Sequence, residues 1–386
     1  MKKIIPKYIF VVGGVISGVG KGITASSLGK ILQDAGVAVT AIKIDPYVNV
    51  DAGTMNPTEH GEVFVTKDGD ECDQDMGNYE RFLNVDLTRI NYMTTGRVYQ
   101  SVIEKERALK YSGACVQVVP HIPLEIVDRI ETAQKNANAE VTVIEIGGTV
   151  GEYENILFLE AARMLKLRNP ERVMFVMVSY LPTPSKIGEM KTKPTQHSVR
   201  TLNGSGIQPD IIIARSSEPL DEKRKEKLSF FCNVPKGQVI SAPDIESIYD
   251  VPLNFEKEGL TTLIAKLLHI KLPTKKSPAG PAWKKMVHTI HHAKDEVRIA
   301  IVGKYFDTGA FTLTDSYISV IEAVKYSAYQ QGKKPVIDWV NAMEFEKDPK
   351  SVAKLKHYHG VLVPGGFGAR GIEGKITSTK SSGNEH

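Results

Sequence analysis

Lys21 stands in the glycine-rich stretch "GGVISGVGKGITASS", residues 13–27, which joins an apolar run to a helix-like pattern. That combination suits a phosphate. Backbone amides can cradle it, the lysine can reach its outer oxygens, and a helix N-terminus favours the negative charge. The spelling departs from the usual G-x-x-x-x-G-K-[ST] loop, because Gly14 and Gly20 enclose five residues and Gly22 follows the lysine where a magnesium-holding hydroxyl would stand. Magnesium is a hard ion that takes oxygen ligands, so carboxylates elsewhere must hold it. "KDGDECDQDMGNYERF" offers Asp68, Asp70, Glu71, Asp73 and Asp75, which composition does not rank and which read equally well as a solvated face. "VIEIGGTVGE" places Glu145 among Val143, Ile144 and Ile146, where a carboxylate is costly to bury without a cation. A second basic set consists of Lys43, at a strand end, and "EMKTKPTQHSVR", with Lys191, Lys193, Gln196, His197 and Arg200 around Pro194. The latter is either a solvated loop or a fixed pocket for a second anion.

These groups need elements to hold them. "KYIFVVGGV" is a short β-branched run ending in glycine, and "GITASSLGKILQDAG" spaces Ile23, Leu28, Ile31 and Leu32 as a helix that Gly36 stops. "VAVTAIKID", "AEVTVIEIGG", "RVMFVMVSYLP" and "PDIIIARS" supply four more buried strands separated by segments of helical length. Alternating apolar strands and helices predict an α/β fold, a doubly wound and mostly parallel sheet covered on both faces. Residues 1–271 form this first domain. Residues 272–296, rich in Pro, Lys and His, read as a linker with a helix near its end. Residues 297–386 open a second α/β domain with strands in "VRIAIVGKYF", "PVIDWV" and "HGVLVPGGFGARG" and a helix in "SYISVIEAVKYSAYQQG". So few crossovers in about 90 residues would be marginal alone.

The bulk composition narrows the classes. A net charge of +4 from 49 basic and 45 acidic residues is too slight to indicate a nucleic-acid or membrane surface. Cys72, Cys115 and Cys232 are scattered, with no metal spacing and no disulfide framework, which fits a cytoplasmic protein. No stretch approaches the roughly 20 apolar residues of a membrane span.

In chain order, "YIFVVGGVISGVGKGI", "KIDPYVNVDAGTM", "HGEVFV", "DMGNYERF", "VIEKERALKYSG", "GACVQVVPHI", "IEIGGTVGE", "KTKPTQHSV", "FCNVP" and "VPGGFGARGIEGK" resemble the CTP synthase family over essentially the whole sequence. The resemblance implies an amidoligase domain of the P-loop and dethiobiotin-synthetase type, joined to a flavodoxin-like class I glutamine amidotransferase domain. It implies ATP-dependent amination of UTP to CTP through a 4-phosphorylated intermediate, with Mg2+ as cofactor, ATP as co-substrate, GTP as an allosteric ligand and a homotetramer as the assembly. Lys21 and Lys43 would be catalytic, and Asp75 and Glu145 would hold the metal. ATP would meet Ser17, Gly18, Val19, Gly20, Lys21, Gly22, Ile23, Asp75 and Arg215. UTP or the product CTP would meet Ser17, Glu152, Glu154, Lys191, Lys193, Gln196 and Lys227, the set from Lys191 to Lys227 being contributed across a subunit interface. His60 and Val63 resemble the constriction of an ammonia passage.

The second domain departs from the family. Gly365 and Gly366 match its oxyanion loop, and Arg370 and Gly371 lie near its GTP-responsive region, but no cysteine follows Cys232. Without a thiolate no acyl-enzyme can form, so the sequence predicts use of free ammonia and no glutamine hydrolysis by these residues. Glu152-Tyr153-Glu154 stands where the family more often has Asp-Ile-Glu, which bears on feedback by CTP. Two alternatives are another ATP-dependent amidoligase and a non-catalytic or regulatory partner of a full-length synthase.

Overall fold

Uninterrupted aliphatic runs are stable as strands only where both faces are covered, and the first unit is built that way. The computed structural model describes residues 5–186, 188–274, 277–304, 314–366 and 371–383. Its first unit comprises residues 1–52 and 65–280, and its second residues 53–64 and 281–386. The first contains β1 (Lys7–Gly14), β2 (Val39–Asp45), β3 (Tyr92–Thr94), β4 (Val141–Ile146), β5 (Val173–Tyr180), β6 (Ile211–Ser216) and β7 (Val239–Pro243). They form one sheet in the order β3-β2-β4-β1-β5-β6-β7, with every neighbouring pair parallel. β3 and β7 are the additions to the sequence reading; three and five residues long, they are too short to show a pattern.

The helices of this unit that matter here are α1 (Lys21–Asp34), α2 (Asp75–Leu83), α3 (Thr95–Arg107), α4 (Val118–Ala137), α5 (Ile156–Arg168), α6 (Lys193–Gly204), α7 (Glu222–Cys232) and α8 (Val251–Lys257). Alternate residues of the strands face opposite sides. Phe10, Val12, Ile42, Ile44, Ile144 and Ile146 join the core made with α4 and α5. The intervening positions, Val11, Lys43 and Glu145, therefore face the other side. β1 is flanked by β4 and β5, so successive connections diverge from its carboxyl end, the place where open α/β sheets bind ligands.

The second unit holds a three-stranded parallel sheet of β8 (Asp295–Gly303), β9 (Lys333–Asn341) and β10 (Gly360–Leu362), ordered β9-β8-β10. Ala300, Val302, Val340, Ala342, Phe345 and Leu355 form its core on one face. Residues 53–64 belong to it through contacts inside the unit: Ser316 Oγ donates to the Pro57 carbonyl at 2.9 Å, and the Ser319 amide donates to Glu62 at 2.7 Å. The division at residue 280 falls within the expected 272–296 linker, whereas the placing of residues 53–64 with the second unit was not expected from composition. Within the expected linker, Ala279–His292 is a helix that buries Trp283 and Val287. The polar tail is also helical, Ile372–Gly383.

Candidate active site

The glycine loop leaves β1 and enters α1 through Gly20, whose φ of +94° is a left-handed conformation that glycine adopts without strain. α1 then begins at Lys21. The lysine folds back over the strand end: its Nζ donates to the Gly148 carbonyl at 2.8 Å, and a Cβ on Gly13 would stand 2.9 Å from it. Burial lowers its pKa, with Glu145 the main opposing influence.

Beside this loop lies a buried charge cluster that the strand register assembles. Lys43 and Glu145 are partner positions on β2 and β4. The Lys43 ammonium donates to Glu145 Oε1 at 3.1 Å and to Asp75 Oδ2, and lies 3.6 Å from Asp45 Oδ1. Tyr79 donates its hydroxyl to Glu145 Oε2, and Asp73 accepts from the Asp75 amide at 2.9 Å. The altered loop now has a physical reading. A Cβ at Gly22 would lie 2.8 Å from Asp75 Cγ and closer still to its Oδ1. Glycine is needed there because the carboxylate of Asp75, coming from α2, occupies the space of the missing hydroxyl side chain.

The five acids of the 68–75 stretch thereby separate. Asp68 accepts from the Thr66 hydroxyl at 2.5 Å and from the Arg89 amide at 3.1 Å, which shapes a turn. Asp70 is forked by Arg97 at 2.8 and 3.0 Å, and Glu71 is exposed. Asp73 and Asp75 turn inward to Lys43. Asp45 and Asp73 join the site without having been singled out as ligands; Asp45 stands two residues after Lys43, close to the same face of β2.

Formally, four carboxylates (Asp45, Asp73, Asp75 and Glu145) share two ammonium groups, Lys21 and Lys43, leaving two negative charges. The titration shifts express that deficit. Burial raises Glu145 and Asp45 against the pull of Lys43, and burial together with Asp45 raises Asp73 well above its usual range. Asp75 goes down despite burial because Lys43 is against it. Lys43 is itself buried, yet Asp45, Asp75 and Glu145 raise it well above an ordinary lysine. A divalent cation would balance this set. Among the described residues no three His, Cys, Asp or Glu side chains are arranged as a complete metal cage. Magnesium does not require one, since one or two carboxylates with waters and nucleotide phosphates suffice, and Asp75 and Glu145 fit that role.

A cleft of about 230 Å³ opens from Gly20 and Ile23, with Ser241, Ile248, Asn254 and Phe255 among its walls. Arg215 lies along it, donating to the Ala242 and Pro243 carbonyls at 3.2 Å and to Asp244 at 2.8 Å. Part apolar and part polar, contiguous with a phosphate-type loop, it has the character of a nucleobase site. The wall after β7 went unnoticed in the sequence because the strand that delivers it did.

Residues 7–270 match the family model described as the CTP synthase N-terminus. The chain belongs to the CTP synthase family. The CTP synthase of Methanosarcina barkeri is 49% identical over 375 residues, 97% of this chain and 68% of that one. The CTP synthase of Thermococcus gammatolerans is 50% identical over the same length and shares. Among solved structures, the signal recognition particle receptor FtsY of Elizabethkingia anophelis covers 67% of this chain and 66% of its own at 11% identity and a TM-score of 0.35, too low to argue from.

The remaining positions expected from CTP synthases are spread over several elements. Ser17 and Gly18 are exposed at the loop tip and Val19 is buried beneath it. α6 approaches the same strand end, since a Cβ on Gly14 would lie 2.6 Å from that of Ser198, and Thr195 is tied to Ser179 of β5 at 2.8 Å. At its start, buried Gln196 donates to Thr192 at 3.1 Å, half-buried Lys191 pairs with Glu189 at 2.6 Å, and exposed Lys193 lies 5.7 Å from the Phe231 ring. Lys227 is exposed on α7. Glu152 caps the turn after β4 by accepting from the Thr149 amide at 2.8 Å, and both Glu152 and Glu154 are exposed. His60 and Val63 belong to the 53–64 segment of the second unit. Gly365 and Gly366 are exposed after β10, with Lys375 donating to the Pro364 and Gly365 carbonyls at 2.7 and 3.1 Å. Arg370 lies outside the described residues. No helix of the described residues is long and apolar enough to cross a membrane.

Proposed function

We propose that these residues aminate UTP at C4 with free ammonia, using ATP to phosphorylate the uracil 4-oxygen first. The observation that carries the reading is the Lys43, Asp75 and Glu145 cluster set directly against the Lys21 loop. In the first step the 4-oxygen attacks the γ-phosphorus, the bond to ADP breaks and the proton on N3 of the uracil is released. Ammonia then adds to C4, loses a proton, and the 4-oxygen leaves with the phosphate. No protein nucleophile is required. Phosphoryl transfer asks chiefly for alignment and charge stabilisation. Lys21 and the amides of the loop hold the β and γ phosphates, and the cleft beside Arg215 takes the adenine. Lys43 stands where the transferred phosphoryl group gathers charge. Asp75 and Glu145 hold Mg2+, which neutralises phosphate charge when bound.

UTP lies between the loop tip and the start of α6, with Lys191, Lys193 and Gln196 on its phosphates and Glu152 marking the side where CTP competes. Lys227 reaches the nucleotide of a neighbouring copy. Exposure of Phe230 and Phe231 on α7, 81% and 55%, supports a subunit contact there and the homotetramer reading. His60 and Val63 line the route of ammonia, and GTP acts through the second unit. Residues 233–386 contain no cysteine, so a glutaminase thiolate has to come from outside these 386 residues.

The test is CTP formation by the purified chain with UTP, ATP and magnesium, given either ammonium or glutamine with GTP. Product with ammonium alone is expected. Product from glutamine would overturn the ammonia reading, and none from either would overturn the synthetase reading.

A further inference from the structure

We propose that Tyr79 is a positioning residue for Glu145, so that α2 sets both carboxylates of the cation site within one helical turn. The proposal rests on the reading that Asp75 and Glu145 hold a divalent cation. Asp75 and Tyr79 are four residues apart on α2 and therefore share a face. From that face Asp75 reaches Lys43, and Tyr79 donates its hydroxyl to Glu145 Oε2. The other oxygen of Glu145 accepts from Lys43 at 3.1 Å.

Each oxygen of Glu145 is thus held from a different element, β2 on one side and α2 on the other. The terminal torsion of a glutamate is otherwise broad, and two fixed partners remove that freedom. Tyr79 is 0% exposed and among the largest fully buried side chains. Packing alone would be served by phenylalanine; what the hydroxyl adds is a donor aimed at a buried carboxylate. α2 is itself fixed at its start, where the Asp75 amide donates to Asp73 and the preceding turn is clamped by the Asp70–Arg97 fork. Outer partners that orient a ligating group are worth about 10- to 100-fold in metal affinity.

The experiment is Mn2+ binding to the full chain, followed by its electron paramagnetic resonance with a non-hydrolysable ATP analogue present, for the unmodified protein, Glu145→Gln and Tyr79→Phe. Glu145→Gln is expected to remove the tight site. Tyr79→Phe is expected to weaken Mn2+ by about 10- to 100-fold while leaving the analogue's metal-free affinity unchanged. In turnover, Tyr79→Phe should raise the Mg2+ concentration for half-maximal rate more than it lowers kcat at saturating Mg2+. Unchanged Mn2+ affinity in Tyr79→Phe, with binding lost in Glu145→Gln, overturns the positioning role, even if the melting temperature falls. Unchanged binding in Glu145→Gln overturns the cation reading itself and the proposal with it. Where the phenylalanine variant does not fold, 4-fluorophenylalanine at position 79 keeps the ring outline without a donor and is judged by the same outcomes.

Discussion

Glu125 and Glu145 are the same side chain and nearly equally shut off from solvent, 6% and 2% exposed, and burial pushes both pKa values up. Their surroundings send them in opposite directions. Glu125, on α4, accepts from Lys105, from Ser101 at 2.8 Å and from Arg129 at 2.9 Å, and these outweigh burial so that its pKa ends low. Glu145 has Lys43 against it, but Lys43 is shared with Asp45 and Asp75, and the pKa of Glu145 ends high. One cluster is saturated with positive charge and the other is short of it. Solvent exposure therefore does not separate the two carboxylates; the unbalanced charge does, and on the function proposed above a divalent cation would supply the charge that is missing.

The largest expected effect comes from widening the deficit. Lys43→Met keeps the length of the side chain and leaves four carboxylates facing one another with only Lys21 near. CTP formation should fall by roughly 10³-fold, the scale of removing a donor that stabilises transition-state charge. The nucleotide-free protein should also lose about 3–5 kcal/mol of stability, as when one member of a buried ion pair is deleted. Steady-state rates and urea unfolding check both. Unfolding at an unchanged midpoint would mean that Lys43 is not the charge that holds this cluster together.

A smaller effect, contrary in sign to motif reasoning, is expected at the loop. Gly22→Ser restores the hydroxyl of an ordinary phosphate loop, yet its Cβ would fall 2.8 Å from Asp75 Cγ. Either α1 or Asp75 must shift, and misplacement of the reacting groups by about 1 Å costs on the order of 10²-fold in rate. Measured kcat/KM for ATP and UTP should drop by about that factor, with the fold retained by circular dichroism. A Gly22→Ser enzyme as active as the parent would show that Asp75 does not replace the hydroxyl.

The sheet was legible where runs were long: β1, β2, β4 and β5 each carry six or more buried residues in succession, and β6 a run of four. β3 and β7 were not, because short edge strands owe their conformation to a neighbour. Glu145 stood out as a charge in an apolar run, which is a local property. Asp75 did not stand out among five acids, because what distinguishes it is the close approach of α2 to Gly22, across more than fifty residues of chain. Tyr79 needed a helix starting at Asp75 to be known first, since only then does spacing by four place both side chains on one face. The grouping of residues 53–64 with the second unit depends on Ser316 and Ser319, far along the sequence, and composition carries no trace of it.

The smallest effect should appear at the balanced cluster. Glu125→Gln removes a charge from a site where Lys105 and Arg129 are partly in solvent, 41% and 25% exposed, and so can rehydrate. The expected cost is about 2 kcal/mol, the loss of hydrogen bonds to a charged group, with no change in the rate of CTP formation. Its pH dependence has a definite sign. The folded pKa of Glu125 lies below the ordinary value of 4.5, so its contribution is fully present above that value and is lost as pH falls through the folded pKa. Melting curves of the parent and Glu125→Gln should therefore stay a constant distance apart from pH 8 down to about 5 and converge below. At the unbalanced cluster the shift of Glu145 is upward, so in the absence of a cation its ionisation opposes folding, and protonation relieves that as pH falls. A gap that widened on acidification in Glu125→Gln would put Glu125 in the same class as Glu145 and remove the distinction drawn between them.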